Sequence, residues 1–324
     1  NDFSGIRCII SADTLTPTPY QESNCNILAT LTLATPPAFQ YEPMIHAHGW
    51  YQLKPHTWDR DSQTLAYTLQ LPDQSVWQVE IRPAADGSQQ LSAEIDGGTL
   101  DLSAERSAAI ESRLRWMLRL DEDLTPFYNL CDLHIPLAHA AGRGAGRLLR
   151  SATLWENFGR VLMTTNTTWL LTKRMVANLV DRWGAAHLSH AEWHAFPTPQ
   201  TIAGLSEDDL KSAGLGYRAG YLLHNARQIA DGTLDLEVLQ HSDLSDKDLR
   251  AALLKLRGVG DYVANTLVML LGRYSFVPVD TEARAAVSKA FFNGEKVTDK
   301  QVKETLAAYA PYSALALYCL NPDG

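Results

Sequence analysis

Residues Leu253–Arg284 read LLKLRGVGDYVANTLVMLLGRYSFVPVDTEAR. The stretch predicts a helix ending near Leu256, a tight Gly258-Val259-Gly260 hairpin and a second helix. About twenty residues beyond the hairpin, a lone Asp280 sits in an apolar Val-Pro-Val-Asp setting. Backbone N–H groups of a glycine hairpin that feeds a helix N-terminus form a phosphate site. A carboxylate behind a proline turn and an apolar stretch is placed to stabilise a cation. Together they point to a protein that grips a nucleic-acid backbone and breaks a bond leading to it. Taken singly, each has a plainer reading. Gly258 and Gly260 would make a helix–helix turn, and Asp280 would cap a helix starting near Thr281. One carboxylate can both cap and catalyse.

Outward from this stretch the pattern changes once. Up to about residue 98 it is β-like: Ile27, Ala29, Leu31 and Leu33 alternate with polar or small residues, as do Leu65, Tyr67, Leu69 and Leu71, then Trp77, Val79 and Ile81. Pro72-Asp73 is a turn between the last two runs, and Gly97-Gly98 closes the region. This predicts an antiparallel sheet with one solvated face. From Ser103 the period is helical, in the sets Ile110/Leu114/Met117/Leu118, Leu154/Phe158/Val161/Leu162 and Met175/Val176/Leu179/Val180. Further helices are expected at 206–213, 217–231, 245–256, 261–271, 281–292 and 299–309, with N-cap signals at Ser206 and Thr298. The fold class is therefore α+β: an amino-terminal sheet domain over residues 1–102 and a multi-helix body over 103–324.

The 324 residues allow two or three domains, and 45% apolar with 20% charged content is ordinary for a soluble chain. No apolar run nears the roughly 18 residues of a membrane span, and the first residues show no targeting pattern. A net charge of −9 argues against nucleic acid until it is located. Residues 1–110 hold 13 acidic and 5 basic side chains, whereas 111–200 carry a net +2. Phosphates feel local potential, so Arg143, Arg147, Arg150 and Arg160 stand as contact candidates. Cys8, Cys25, Cys131 and Cys319 are scattered, which excludes a zinc or iron–sulfur site on spacing and fits a reducing, intracellular setting. The ten histidines show no ligand spacing; His46 and His48 are expected at the surface or in a loop.

Several stretches resemble the helix-hairpin-helix DNA glycosylases of base-excision repair, over roughly residues 103–320. They are LLRSATLWENFGRVLMTTNTTW (Leu148–Trp169), FPTPQTIAGLSEDDLKSAGLGYRAGYL (Phe196–Leu222), the hairpin, VPVD and APYSALALYCL (Ala310–Leu320). The body is similar to the 8-oxoguanine glycosylase branch, and HGWYQLKPHTW (His48–Trp58) fits its sheet domain more loosely. The resemblance implies two helical subdomains flanking a pocket for a base flipped out of duplex DNA. Gly258, Val259, Gly260 and Tyr262 would hold the DNA backbone, and Asp280 would stabilise an oxocarbenium-like sugar. It further implies that Asn166 fills the vacated space, that Tyr217 wedges beside it, and that Arg218 contacts the opposite base. Without that context Asn166 is a helix cap, Tyr217-Arg218 a helix start, and Tyr262 a half-buried core aromatic.

Three departures narrow the chemistry. Where bifunctional members carry a Schiff-base lysine after the hairpin, this chain has Tyr262, which forms no imine. GVGDYVAN instead resembles the opening of bacterial 3-methyladenine glycosylase II, where an aromatic lines the base pocket. Leu317 replaces a base-reading glutamine, Thr266 a pocket cysteine, and Leu171 an arginine that reads the orphan cytosine. The expected base pocket is thus Tyr262, Thr266, Trp169 and Leu317, although Trp169 and Trp155 also suit a core. It suits cationic alkylpurines. The expectation is a monofunctional, cofactor-free, monomeric glycosylase acting on damaged duplex DNA in the cytoplasm or nucleoid. No metal would be held by side chains, though the hairpin carbonyls could take a monovalent cation. The rivals are an 8-oxoguanine-type enzyme, a lesion-binding module that does not excise, and adenine excision, which the absence of that branch's cysteine set weakens.

Overall fold

The computed structural model describes residues 28–320; Ile27, Cys8 and Cys25 lie outside them. Strands β1 (Leu28–Ala34), β2 (His56–Asp59), β3 (Thr64–Gln70), β4 (Val76–Pro83) and β5 (Gln90–Asp96) form one antiparallel sheet in the order β1-β5-β4-β3-β2. The alternating residues meet face to face: Leu65 pairs Ile81, Tyr67 pairs Val79 and Leu69 pairs Trp77, all buried. The expected turn at Pro72-Asp73 is present, with Asp73 Oδ1 accepting from Ser75 N–H at 3.0 Å. One expectation needs correcting: the second face is not simply solvated. Thr68 and Gln78, directly opposite on β3 and β4, are buried there, and the threonine hydroxyl bonds Gln78 Oε1 at 2.6 Å. Each polar side chain covers the other, so the centre of that face is dry. A short helix, α1 (Tyr41–His46), lies between β1 and β2.

The helical body starts with α2 (Ala104–Leu118), α3 (Thr125–Cys131), α4 (Leu154–Thr164) and α5 (Trp169–Trp183). All twelve residues of the three periodic sets are buried on α2, α4 and α5. Next come α6 (Pro199–Ala203), α7 (Glu207–Ser212), α8 (Arg218–Ala230), α9 (Leu236–Gln240) and α10 (Asp246–Leu253). The chain ends with α11 (Asp261–Leu270), α12 (Thr281–Phe291), α13 (Asp299–Leu306) and α14 (Ser313–Cys319). Ser206 and Thr298 each close a reciprocal capping box, with Asp209 and Gln301 respectively. No helix among the described residues is long and apolar enough to cross a membrane.

One apolar core runs without a break from the sheet through α2, α4, α5 and α8 to α11; a second joins α3, α12, α13 and α14. The sheet is also tied to the body by a buried polar knot. Arg160 of α4 pairs with Glu156, reaches His56 Nδ1 at 2.9 Å and donates to Lys54 O at 2.9 Å, while Tyr67 donates to Glu156. This overturns part of the charge reading. Arg147, Arg150 and Arg160 are buried and committed to carbonyls or internal partners, so of the four candidate arginines only Arg143 is exposed. They brace the fold because a guanidinium carries five donors and can satisfy several carbonyls at once.

Candidate nucleic-acid interface and active site

The hairpin sits between α10 and α11. Gly258 has φ +86°, and a Cβ there would stand 2.4 Å from the ring of Tyr221 on α8, so the position needs glycine twice over. Gly260 caps α11 at φ −100° and ψ −173°, exposed, with nothing within 4 Å of a Cβ. Its bareness answers no demand of the fold and leaves the helix N-terminus open to an outside group. Asn225, fully buried on α8, fixes the turn from below: Nδ2–H donates to Arg257 O at 2.9 Å, and Oδ1 accepts from Arg257 N–H at 3.1 Å. The carbonyls of Leu256 and Arg257 already accept from Val259 and Asn225. Gly260 O likewise accepts from Ala264 N–H at 2.9 Å, in the first turn of α11. No cluster of His, Cys, Asp or Glu among the described residues could hold a metal ion.

Asp280 is the N-cap of α12: Oδ1 accepts from Ala283 N–H at 2.8 Å. Its second oxygen takes no hydrogen bond, and no basic side chain pairs with it, among the described residues. The segment before it is pinned to α11, because the buried Asn265 donates Nδ2–H to Val277 O at 2.9 Å and accepts from Arg250 at 2.6 Å. Tyr262, on the first turn of α11, feels this carboxylate. Its phenol pKa is raised by burial first and by Asp280 after that, with the Thr164 hydroxyl 3.5 Å away. Tyr318 of α14 lies in the same field: burial, then Tyr262 and Asp280, push its phenol well up. Both rings stay neutral and keep part of their surface accessible. Thr266 and Leu317 are buried on α11 and α14, and the Thr266 hydroxyl is already bonded to Tyr262 O at 2.8 Å.

Trp169 stands apart from this group. It donates Nε1–H to Gln52 Oε1 at 3.0 Å and lies against Gly49, closing on the amino-terminal segment with no ring contact to Tyr262. Trp155 is buried and bonded to Pro197 O, a core position.

The second group forms a ridge. Asn166 takes a left-handed φ of +44° just past α4, and its Nδ2 lies 3.4 Å from the hydroxyl of the exposed Tyr217. Tyr217 meets Tyr221 edge-on at 5.8 Å, and Tyr221 abuts Gly258, so the ridge and the hairpin form one surface. Arg218 turns inward. It is buried, its guanidinium 4.6 Å from the centre of the Tyr217 ring, and it bonds the carbonyls of Thr165 and Asn166. So engaged, the side chain holds the Asn166 turn in shape. The structural parts of Asn225, Asn265 and Tyr221 escaped sequence reasoning; Tyr221 lies in the Phe196–Leu222 stretch and Asn265 in GVGDYVAN, where a polar residue on an apolar helix face was the available signal.

A helix-hairpin-helix beside an aspartate-capped helix, set on an antiparallel sheet, defines the class. Residues 160–311, a little under half of the chain, match the model for HhH-GPD superfamily base excision DNA repair proteins, and this part of the chain is similar to that superfamily. A Bacillus subtilis (strain 168) protein, provisionally named DNA-3-methyladenine glycosylase YfjP, is 34% identical over 133 residues. That match covers 38% of this chain and 44% of the relative. The N-glycosylase/DNA lyase of Saccharomyces cerevisiae (strain ATCC 204508 / S288c) is 26% identical over 238 residues, 69% of this chain and 61% of the yeast protein. The chain therefore spans about half to two thirds of these relatives' lengths. The fold is similar to that of 3-methyladenine DNA-glycosylase from Archaeoglobus fulgidus, with TM-score 0.73, 19% identity and coverage of 90% and 97%.

Proposed function

We propose that this protein is a monofunctional DNA glycosylase that excises damaged, principally alkylated, purines from duplex DNA. The observation that carries the reading is Asp280. One carboxylate oxygen is fixed by capping α12 and the other has no partner among the described residues, beside Tyr262 at the start of the hairpin-fed helix. A duplex gripped through a phosphate at the Gly260 N–H end of α11 would present an everted sugar to that oxygen. The carboxylate then stabilises the oxocarbenium character that grows as the base leaves, and water completes the hydrolysis. Tyr217 and Asn166, paired on the exposed ridge, are shaped to enter the space the nucleotide vacates.

The substrate class follows from the walls. Two neutral phenol rings and Leu317 offer stacking, and the Thr266 hydroxyl is used internally. Electron-rich rings favour an electron-poor, cationic base whose glycosidic bond is already weak. Tyr262 in the lysine position supports hydrolysis without strand cleavage. The relatives' names divide between 3-methyladenine glycosylase and N-glycosylase/lyase, which makes oxidised purines the second reading.

The test is release of bases from methylated and from 8-oxoguanine duplexes, with and without alkaline treatment. Alkylpurine release with strand breaks only after alkali is expected. Asp280→Asn keeps a capping oxygen and is expected to fold normally while losing roughly a hundredfold or more in rate. Full activity in that variant sinks the mechanism, and excision of oxidised purines alone sinks the substrate assignment.

A further inference from the structure

His48 lies in the loop expected for it, half-buried, but with its ring turned inward. Both its ring nitrogens are shut off from solvent and neither meets a hydrogen-bonding partner among the described residues; the same holds for Nε1 of Trp50. The imidazole stacks on that indole, centroids 4.9 Å apart and planes 9° from parallel. Native proteins rarely leave buried polar atoms unmatched without a use for them, and here three share one stack. The stack adjoins the site. His48 meets the ring of Tyr318 edge-on, at 6.3 Å and 87°, and Tyr318 shares the field of Asp280 and Tyr262. The next residue, Gly49, has φ +79°, and a Cβ there would lie 3.1 Å from the Trp169 indole, so this turn is clamped against the start of α5.

We propose that His48 reads the edge of the everted base. Backed by Trp50, it forms the floor of the base recess, contributed by the sheet region, and it exchanges hydrogen bonds with the ring nitrogens or exocyclic amine of an alkylated purine. The inference rests on the glycosylase reading above. Tyr318 is the side chain that turns aside to admit the base. Burial, with Arg119 and Arg160 adding their charge, drives the imidazole pKa down to about 3. The ring therefore offers one donor and one acceptor at working pH and no charge to repel a cationic base. A site of this kind discriminates by leaving its own groups unpaired against a base that cannot match them.

His48→Phe keeps a ring on Trp50 and removes both nitrogens; His48→Gln restores a donor and an acceptor. Wild type and variants are compared for excision from alkylated and undamaged duplexes, for binding to the same duplexes, and for thermal melting. The phenylalanine variant should melt no lower than wild type, because it replaces unmatched polar atoms with carbon. It should lose about tenfold or more of the lesion-over-undamaged excision ratio, part of which the glutamine variant recovers. If the wild type excises and His48→Phe keeps the same ratio, buried water alone meets these nitrogens; the proposal falls while the glycosylase reading stands. If the wild type excises nothing from any duplex, the glycosylase reading falls and binding decides. A lesion preference lost in His48→Phe then retains the reader, and an unchanged preference removes it.

Discussion

Gly258 and Gly260 look interchangeable in the sequence, yet the structure gives them different reasons to be glycine. At Gly258 a side chain would meet a left-handed backbone and the Tyr221 ring together. Gly258→Ala should therefore destabilise the protein by about 2 kcal/mol or more, read from urea midpoints. Gly260 has an ordinary extended φ and open space around it. Gly260→Ala should leave the urea midpoint within about 0.5 kcal/mol of wild type. Duplex affinity should nevertheless fall, because a methyl would stand where a phosphate approaches the first amides of α11. Fluorescence anisotropy with a labelled duplex checks this. Wild-type affinity in a stable Gly260→Ala would remove the hairpin from the interface. The glycine motif was legible from residue types alone, but the division of labour within it was not, because it depends on an aromatic ring 37 positions away in sequence. The enclosure of the His48 ring was illegible for a related reason: a loop histidine between Ala47 and Gly49 carries no period that marks it.

At the scale of elements, α11 organises the site. Its N-terminus carries the hairpin, its first turn presents Tyr262, and its Asn265 holds the Val277 carbonyl three residues before Asp280. Asn265→Ala removes the bonds to Val277 and Arg250 and strands a buried carbonyl, which should lower stability by about 1–3 kcal/mol. The excision rate should fall further than that loss explains, at least tenfold under single-turnover conditions, because a small displacement of a reacting group is costly in rate. DNA affinity should hold, since the hairpin amides are untouched. A less stable Asn265→Ala with a wild-type single-turnover rate would show that Asp280 needs no support from α11. The helices themselves were readable in advance: apolar residues at 3.6 spacing must bury one stripe, and Ser and Thr caps announce their starts. What joins them was not. Asn225, Asn265 and Arg218 are polar side chains turned inward to satisfy carbonyls, and in one dimension such residues look like a solvated face. The inward turn of Arg218 was hidden for that reason, and Arg147, Arg150 and Arg160 were misplaced.

For the whole molecule, the decisive feature is that the sheet and the helical body share a core and a set of buried ionisable groups. His48 and His56 stand at this junction, and burial drives both imidazole pKa values down, with Arg160 acting on each. Groups depressed on folding contribute stability that is present above the unfolded value near 6.5 and is lost as pH falls below it. With a folded value of about 3, His48 alone should withdraw about 1 kcal/mol between pH 7 and pH 5.5, and His56 acts in the same direction. Glu156 works the other way, because burial raises its carboxyl pKa and its folded form gains on acidification. A comparison of variants separates these opposing contributions. Urea unfolding of wild type and His48→Phe at pH 7 and 5.5 should give a wild-type stability that drops more on acidification, by about 1 kcal/mol, than that of the variant. Equal drops would mean that His48 is protonated within the fold. An imidazolium there would place a positive charge against the site that Asp280 and the phenol rings prepare for a cationic base.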